Sequence, residues 1–365
     1  MMRWISIILA VIISLLLTTS LFAKTSVLID FDKLKANGNG DPASSLAEDD
    51  PKMKDYTDHD NKNRTQHMPT LVSYGDLAGS SFTQAEKDFM KISLAAYNWD
   101  VTLNSSAAFV ENTRFSKAIE WHTKSVPVLT MDNTADANRE GFTILGARIK
   151  FPEWPYNCYA NIKPPFEIPA FDDILTTYKG EPETDAQKLA SGKYRKFDGY
   201  GMIKNVGTIK SIKMKVYGLQ FQNSIALILK DDLGSITEYS FPEYLDFDGW
   251  KEIVWTNPAY IDNAANRNLY FMPLYPHSEP YVTLYGFRVY RQGDKIGGDF
   301  VVYIKDVTIT YDLAVLERDE VIDNEGAWQI ISSKVIEAKR REMSKLGQNQ
   351  ILRFLEKKKM DQTAP

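Results

Sequence analysis

Two pairs of neighbouring carboxylates are the most plausible catalytic residues in this sequence. Asp172 and Asp173 are adjacent, and Asp246 and Asp248 are separated by one residue. Paired carboxylates serve as acid and base in most glycoside hydrolases, so their chemistry would be cleavage of a glycosidic bond. Carboxylates this close together in loops are more typical of turns and strand caps. A glycosidase is therefore a minor alternative, and the sequence predicts a protein that is not an enzyme.

Candidate metal ligands are few and poorly spaced. His59 and His67 lie in a strongly polar stretch, for which a solvated loop is the expected structure. Residues 136–147 match a calcium-binding loop at their first positions, but Ala147 stands where such a loop requires a bidentate glutamate. We therefore predict no metal site.

Composition and motifs remove further classes of function. The single cysteine, Cys158, excludes an intrachain disulfide and any multi-cysteine metal site. A net charge of −5 gives no indication of a nucleic-acid binder. The sequence contains neither a GxSxG nucleophile elbow nor a GxxxxGK[ST] phosphate loop. A binding or structural protein is the class that fits these observations.

Tryptophans raise the alternative of a carbohydrate-binding surface, because an aromatic face can stack on a sugar ring. Trp154, Trp250 and Trp255 are the candidates. Within FDGWKEIVW, Trp250 and Trp255 fall on opposite faces of a strand, so at least one of them is predicted to lie in the core.

Residues 151–171, FPEWPYNCYANIKPPFEIPAF, combine five prolines with several aromatic residues. Proline fixes its own φ and restricts the residue before it, so this segment is predicted to be extended and stiff. A stiff aromatic segment loses little conformational entropy when it binds a partner. We identify Trp154, Tyr156 and Phe166 as candidate partner contacts. The alternative is a purely structural role, in which the segment seals one end of the fold.

The secondary structure predicted around these residues consists mostly of β-strands. From Tyr97 onward, nine short segments show a period of two, and turns such as 231–234 and 291–298 separate them. Four residues of one segment are predicted to share a core face: Ile209, Ile212, Met214 and Val216. Many short strands without intervening helices predict a mainly β fold, an antiparallel β-sandwich.

The region before these strands is predicted to be mixed. Residues 26–32, SVLIDFD, are typical of a first strand, and residues 33–69 are so polar that we interpret them as a mobile loop or insertion. Apolar residues at helical spacing predict a helix over 82–96, with Ser81 or Thr83 as its cap.

The tail, residues 315–365, is predicted to be a basic helical extension. Residues 337–359 carry eight basic and three acidic side chains, a local charge of +5, which leaves −10 for the rest of a chain of net −5. An apolar stripe from Trp328 to Ala338 is expected to pack on the sandwich. The segment after Glu337 would then be free to bind a partner through Lys339, Arg340, Arg341, Lys357, Lys358 and Lys359.

The first 23 residues have the layout of a secretory signal peptide. Arg3 precedes an apolar run from Trp4 to Leu17, and cleavage is expected after Ala23. An uncleaved anchor helix is the alternative. The predicted organisation is a signal peptide (1–23), a sandwich domain (24–314) and the helical extension (315–365).

Several longer segments carry a resemblance to a known family. They are FPEWPYNCYANIKPPFEIPAF, GYGMIKNVGTIKSIKMKVYG, FDGWKEIVWTNPAYI, PLYP, YGFRVYR and GGDFVVYIKDVTITYD. In this order they resemble the spirochaete flagellar filament outer-layer, or sheath, proteins of the FlaA type. The similarity is strongest over residues 142–312 and weaker over 70–141.

The resemblance implies a structural protein of the periplasm that coats the flagellin core of the periplasmic flagellum and contributes to filament shape, stiffness and motility. It implies a jelly-roll-like sandwich similar to carbohydrate-binding modules, with no catalysis and no cofactor. The implied partners are the flagellin core filament, other sheath proteins, and neighbouring copies or paralogues. Nucleic acid and a stable membrane anchor after signal cleavage are not expected. A secreted carbohydrate-binding module is the alternative function.

Overall fold

All nine segments with a period of two contain a strand. The computed structural model describes residues 23–34, 71–88, 90–123, 142–168, 199–261, 271–273, 280–294, 296–317, 322 and 324–363. The strands are β1 (Lys24–Asp30), β2 (Leu71–Ser73), β3 (Lys91–Ser93), β4 (Asp100–Leu103), β5 (Lys117–His122), β6 (Thr143–Phe151), β7 (Tyr159–Lys163), β8 (Met202–Lys204), β9 (Val206–Leu219), β10 (Ser224–Asp231), β11 (Ile236–Tyr244), β12 (Asp248–Thr256), β13 (Phe271–Pro273), β14 (Tyr281–Tyr290), β15 (Gly298–Leu313) and β16 (Val315–Glu317).

Two six-stranded sheets form the predicted antiparallel β-sandwich. The first sheet has the order β12-β9-β15-β6-β5, with β1 also paired to β15. The second has the order β11-β10-β14-β7-β4, with β8 also paired to β14. All pairings within these two sheets are antiparallel. Sequence neighbours such as β9 and β10 lie in different sheets, so the chain crosses repeatedly between the layers.

The core lies between the two sheets and is built from alternate residues of each strand. In β9, the four residues predicted to share a face are all buried: Ile209, Ile212, Met214 and Val216. The three-residue step from Ile209 to Ile212 fits because the register between β9 and β15 shifts beside Ser211. Each fully buried aliphatic or aromatic side chain stabilises the fold by about 1.5–3 kcal/mol.

The helix predicted over 82–96 is wrong in its extent. In the described part of this range, the α-helix is limited to α1 (Gln84–Asp88), and β3 follows it and pairs with β2. Thr83 is the cap, since its main-chain N–H donates to Glu86 Oε2 at 2.9 Å and the Glu86 N–H donates to Thr83 Oγ1 at 3.3 Å. Pairing with a strand some twenty residues away overrides the local helical pattern.

The predicted C-terminal helical extension is present, but it packs differently from expectation. After α2 (Val110–Phe115) and α3 (Asn324–Trp328), the helix α4 spans Ile330–Thr363. Trp328 is 70% exposed and Ala338 is also exposed, so both ends of the stripe expected to face the sandwich are solvated. The contacts with the sandwich come instead from the part of α4 that begins at Glu342.

Three sequence expectations fall wholly or mainly outside the described residues. They are the signal peptide at 1–23, most of the insertion at 33–69, and the carboxylate pair Asp172–Asp173. β16 pairs in parallel with β13 just beyond the expected boundary at residue 314. Within the described part of the chain, no helix is sufficiently long and apolar to span a bilayer.

Candidate functional site

Three exposed aromatic rings cluster at one end of the sandwich, which we call the aromatic end. Trp154 and Tyr156 lie in the loop between β6 and β7, and Phe109 directly precedes α2. The ring centre of Trp154 is 5.9 Å from that of Phe109 and 6.0 Å from that of Tyr156. Phe109, Trp154 and Tyr156 are 48%, 46% and 58% exposed. An exposed cluster of large rings is typical of a protein-contact surface.

A buried arginine holds this loop in place. Arg291, at the end of β14, is 8% exposed, and its guanidinium donates hydrogen bonds to the main-chain carbonyls of Pro152, Trp154 and Tyr156. The N–H of Arg291 also donates to the carbonyl of Cys158 at 3.0 Å. A single cation therefore organises the loop, and rigid contacts lose less entropy on binding.

Asn104 ties the same loop to the turn before α2. Its side-chain amide donates to the Asn157 carbonyl at 3.1 Å, and its Oδ1 accepts from the Tyr159 N–H at 3.2 Å. Cys158 is buried beneath the loop, and burial raises the pKa of its thiol while Arg291 opposes the rise. The cysteine is thus a packed residue of low thiolate content.

The second half of the proline-rich segment packs on the core of the fold, as in the structural role considered as an alternative to partner contact. Phe166 is 5% exposed and Ile168 is 7% exposed, and both belong to the hydrophobic core. A Cβ on Gly201 would lie 2.7 Å from the Ile168 Cδ1 atom, so the chain passes close above that side chain. Packing within the chain therefore explains the Phe166 ring, whereas Trp154 and Tyr156 face solvent.

The opposite end of the sandwich holds α4. The side-chain amide of Gln350, which is buried, donates to the carbonyl of Pro165 at 2.9 Å. A Cβ on Gly347 would lie 2.4 Å from Leu77 Cδ1, so glycine permits the helix to approach closely. Gly347 therefore marks a close contact between α4 and the segment that contains Leu77.

Aromatic and ionic contacts continue along α4. The rings of Phe82 and Phe354 meet edge to face at 6.2 Å. Arg353 pairs with Asp100 at 2.7 Å, and Lys358 pairs with Glu86 at 2.5 Å. The hydrogen bond from Lys358, together with those from Thr83, lowers the pKa of Glu86 to about 2. These ion pairs are exposed, so the helix is held by many weak contacts together.

A groove of about 260 Å³ lies between α4 and the sandwich. Glu342 faces it, near the ion pair that Lys230 forms with Glu167 at 2.8 Å. Burial raises the pKa of Glu342 to about 7; Glu167 adds to the rise, and Lys230 and Lys345 oppose it. The docked helix therefore holds a carboxyl that resists ionisation.

Docking of α4 is expected to weaken as pH rises from about 4.5 to about 7. The docked Glu342 binds its proton in this range, whereas a solvated glutamate has lost it, so the docked state is favoured at the acidic end. Glu342→Gln cannot ionise and should flatten this dependence. Urea unfolding of the mature chain at about pH 5 and about pH 8 measures it.

Glu337→Gln is the matched control, since Glu337 is exposed on the same helix and pairs only locally with Arg341. If Glu342→Gln leaves the slope of stability against pH unchanged while Glu337→Gln alters it, Glu342 is not its origin.

The described residues among the predicted basic contacts differ in their surroundings. Arg340 and Arg341 are exposed in the half of α4 that precedes the groove, and Lys359 is exposed near its end. Lys358 contacts Glu86 of its own chain. The side chains of Lys339 and Lys357 lie outside the described part. Their contact with a partner stays a prediction.

The tryptophans considered for sugar binding also separate. Trp255 is partly buried against the core and meets Tyr239 at 4.8 Å. Trp250 lies on the other face of β12 and meets Tyr217 at 5.5 Å. The carboxylates Asp246 and Asp248 are exposed at the start of β12, where they fit the turn role.

Sequence reasoning missed Arg291, Phe109 and Gln350. Arg291 stands in an ordinary strand end, and Gln350 in a polar helix, so neither carries a local signal. Phe109 followed by Val110 is an apolar pair in a polar stretch, which could have indicated an exposed contact.

The chain is similar to flagellar proteins over most of its length. A family profile described as flagellar filament outer layer protein FlaA matches residues 63–320. The flagellar filament outer layer protein of Spirochaeta aurantia is 38% identical over 351 residues, covering 94% of this chain and 91% of that protein. The protein of the same description from Treponema pallidum is 37% identical over 341 residues, covering 93% and 89%.

Among solved structures, two carbohydrate-binding modules are similar to this chain at low sequence identity. The family 11 carbohydrate-binding module of a Clostridium thermocellum cellulase has 7% identity and a TM-score of 0.24, covering 61% of this chain and 91% of that module. A carbohydrate-binding module of the β-sandwich superfamily has 10% identity and a TM-score of 0.25, covering 58% and 56%. The matched profile and the two full-length relatives confirm the resemblance seen in the sequence: the chain belongs to the family of flagellar filament outer layer proteins.

Proposed function

We propose that this chain is a structural subunit of the outer layer of a periplasmic flagellar filament, where it coats the flagellin core and contributes to filament shape, stiffness and motility. Residues 1–23 direct export and are removed, and the mature chain starts at Lys24. The observation that carries the proposal is membership of the outer layer family along more than nine-tenths of the chain.

The aromatic end and the exposed basic residues of α4 are the proposed contact surfaces. Trp154 and Tyr156 are exposed on a loop fixed by Arg291, which favours a preformed partner site. Arg340 and Arg341 supply exposed positive charge on a helix. The proposed partners are the flagellin core, other sheath proteins, and neighbouring copies or paralogues.

Co-sedimentation of the mature protein with isolated periplasmic filaments tests the proposal. Saturable binding to filaments stripped of their outer layer is the expected result. A mature chain that remains in the supernatant at every concentration would contradict the coat function.

Replacing Trp154 and Tyr156 together by alanine is expected to weaken filament binding with little change in melting temperature. Each ring contributes about 2 kcal/mol or more to binding if it is an interface anchor. Loss of one such ring therefore lowers the affinity about 30-fold. Co-sedimentation and thermal unfolding of the same preparation measure both effects.

Trp121→Ala is the matched control, because Trp121 is a 58% exposed tryptophan on β5, outside the aromatic end. Equal loss of binding in both variants would remove the aromatic end as the specific contact.

Carbohydrate binding is a second candidate because of one feature of the first sheet. Trp250, Tyr217 and Tyr303 form a row across β12, β9 and β15, with ring centres 5.5 Å and 6.1 Å apart. Aromatic rows of this kind can stack on sugar rings. Glycan-array binding by the mature protein that is lost in Trp250→Ala would support this function.

A further inference from the structure

The aromatic end and the docking site of α4 lie at opposite ends of the same strands. β7 begins at Tyr159, beside the aromatic loop, and ends at Lys163, two residues before Pro165, which contacts α4. β14 runs antiparallel to β7 and finishes beside Arg291. Each copy of the chain therefore carries two different surfaces at its two ends.

α4 crosses the strand ends of the second sheet rather than continuing along them. Glu342 faces Lys230 near the end of β10, Gln350 bonds to the main chain just after β7, and Arg353 pairs with Asp100 at the start of β4. The sheet order is β11-β10-β14-β7-β4, so these contacts follow the sheet from β10 to β4. The residues before Glu342 therefore extend beyond β10, on the side of β11.

This extension is a basic helical surface. Ile330–Arg341 span about 18 Å at 1.5 Å per residue. Lys334, Arg340 and Arg341 are exposed there, and the neighbouring Trp328 is 70% exposed. Exposed tryptophan and arginine side chains, which lie here at the two ends of one segment, are both enriched at protein interfaces.

We propose that the aromatic end of one copy receives the segment Trp328–Arg341 of the next copy, so that subunits associate head to tail. This inference rests on the proposed function as a coat subunit and names one partner, a second copy of the chain. The guanidinium groups of Arg340 and Arg341 lie over the exposed rings, and their charges approach the neighbouring carboxylates Glu111 and Glu153.

The chemistry of this contact already occurs within the chain. The Arg288 guanidinium lies 4.6 Å from the ring centre of Tyr159, and the Lys150 ammonium lies 4.7 Å from that of Phe115. Glu153 is exposed in the segment that carries Trp154 and Tyr156, and Glu111, which also pairs with Lys150 at 3.7 Å, is exposed beside Phe109. A ring face with carboxylates beside it attracts cations by two mechanisms, of which the cation–π contact favours arginine.

Head-to-tail contact has the symmetry that a filament layer needs. An isologous contact uses the same patch on both subunits and stops at a dimer. A heterologous contact joins two different patches, leaves one of each free, and continues into an open array when the rotation does not close a ring. Two distinct surfaces at opposite ends favour the second arrangement.

Mixing two full-length mature variants tests the proposal. Variant one, Trp154→Ala with Tyr156→Ala, retains the basic segment; variant two, Arg340→Ala with Arg341→Ala, retains the aromatic end. Analytical ultracentrifugation should show concentration-dependent oligomers for the wild type and an affinity at least about 30-fold weaker for each variant alone. An equimolar mixture should form dimers and no larger species, because one intact contact is available per pair.

The outcomes are distinct. Monomers in the mixture, larger oligomers of either variant alone, or a wild type that is monomeric at every concentration would each overturn the head-to-tail contact. Arg340→Lys with Arg341→Lys should show intermediate affinity, whereas a wild-type affinity would remove the role of the guanidinium planes. Wild-type oligomers that do not co-sediment with filaments would instead contradict the proposed coat function, while binding of a monomeric wild type to filaments would support that function alone.

Discussion

Phe166→Ala is expected to lower the free energy of unfolding of the mature chain by about 3–5 kcal/mol, the range for deleting a buried phenylalanine ring. The Phe166 side chain is 5% exposed and belongs to the core cluster. The preceding residue, Pro165, accepts a hydrogen bond from Gln350 of α4 through its carbonyl. Removal of the ring leaves a cavity that the stiff proline-flanked backbone closes poorly. Urea unfolding measured by tryptophan fluorescence gives the change directly.

Trp154→Ala is the control for this measurement. Both residues belong to the same proline-rich segment, but Trp154 is 46% exposed, so its loss should change stability by less than about 1 kcal/mol. If Phe166→Ala unfolds at the wild-type denaturant concentration and binds filaments poorly, the ring is a partner contact after all. The pair of variants therefore separates the two roles that the segment combines.

Arg291→Ala is expected to have the next largest effect, a loss of about 3 kcal/mol in stability together with loss of filament binding. Hydrogen bonds from a charged group are worth about 1.5–3 kcal/mol each, and Arg291 donates to three carbonyls of the aromatic loop. Partial access of water to the freed carbonyls limits the sum. Without the guanidinium, the loop that presents Trp154 and Tyr156 loses its fixed geometry.

Arg291→Lys tests whether the guanidinium geometry is required, and Arg114→Ala is the control for loss of an arginine at an exposed position. The lysine variant retains the charge, but a compact ammonium cannot reach three carbonyls as the planar guanidinium does, so an intermediate loss is expected. Arg114 is exposed in α2 and should tolerate alanine. Filament binding by Arg291→Ala at the wild-type level would show that the contact does not depend on a fixed aromatic loop.

The proline-rich segment shows why residue type alone did not separate contact from core. Trp154 and Phe166 are both aromatic, both follow prolines within a few residues, and both are compatible with exposure or burial. Trp154 precedes β7 and lies on a loop beyond the sheet, whereas Phe166 follows β7 and turns under α4. Their different fates depend on which elements cover each end of β7.

In the C-terminal helix, likewise, the charge of a residue does not by itself predict its contacts. The basic composition of this helix predicted exposure, and Arg340 and Arg341 are exposed. Lys358 and Arg353 instead pair with carboxylates of the sandwich, and the apolar stripe expected to pack is largely solvated at Trp328. The ion pairs with Asp100 and Glu86 help to determine which part of α4 docks on the sandwich. These carboxylates are more than 250 residues away in sequence from Arg353 and Lys358.

The class of fold could be predicted from the sequence, because the period of two along nine segments is a local property of each strand and is preserved in both sheets. The family could be predicted as well, since motifs such as KPPFEIPA and GGDFVVYIKDV are contiguous. The exposure of each aromatic ring, the docking site of α4 and the short strand β3 within the helix expected over 82–96 became evident only from the folded chain. Each of these depends on contacts between distant segments, such as Gln350 with Pro165 and β3 with β2. Local periodicity indicates which residues turn inward from an element, but the free energy of each long-range contact depends on what the remaining chain places opposite it.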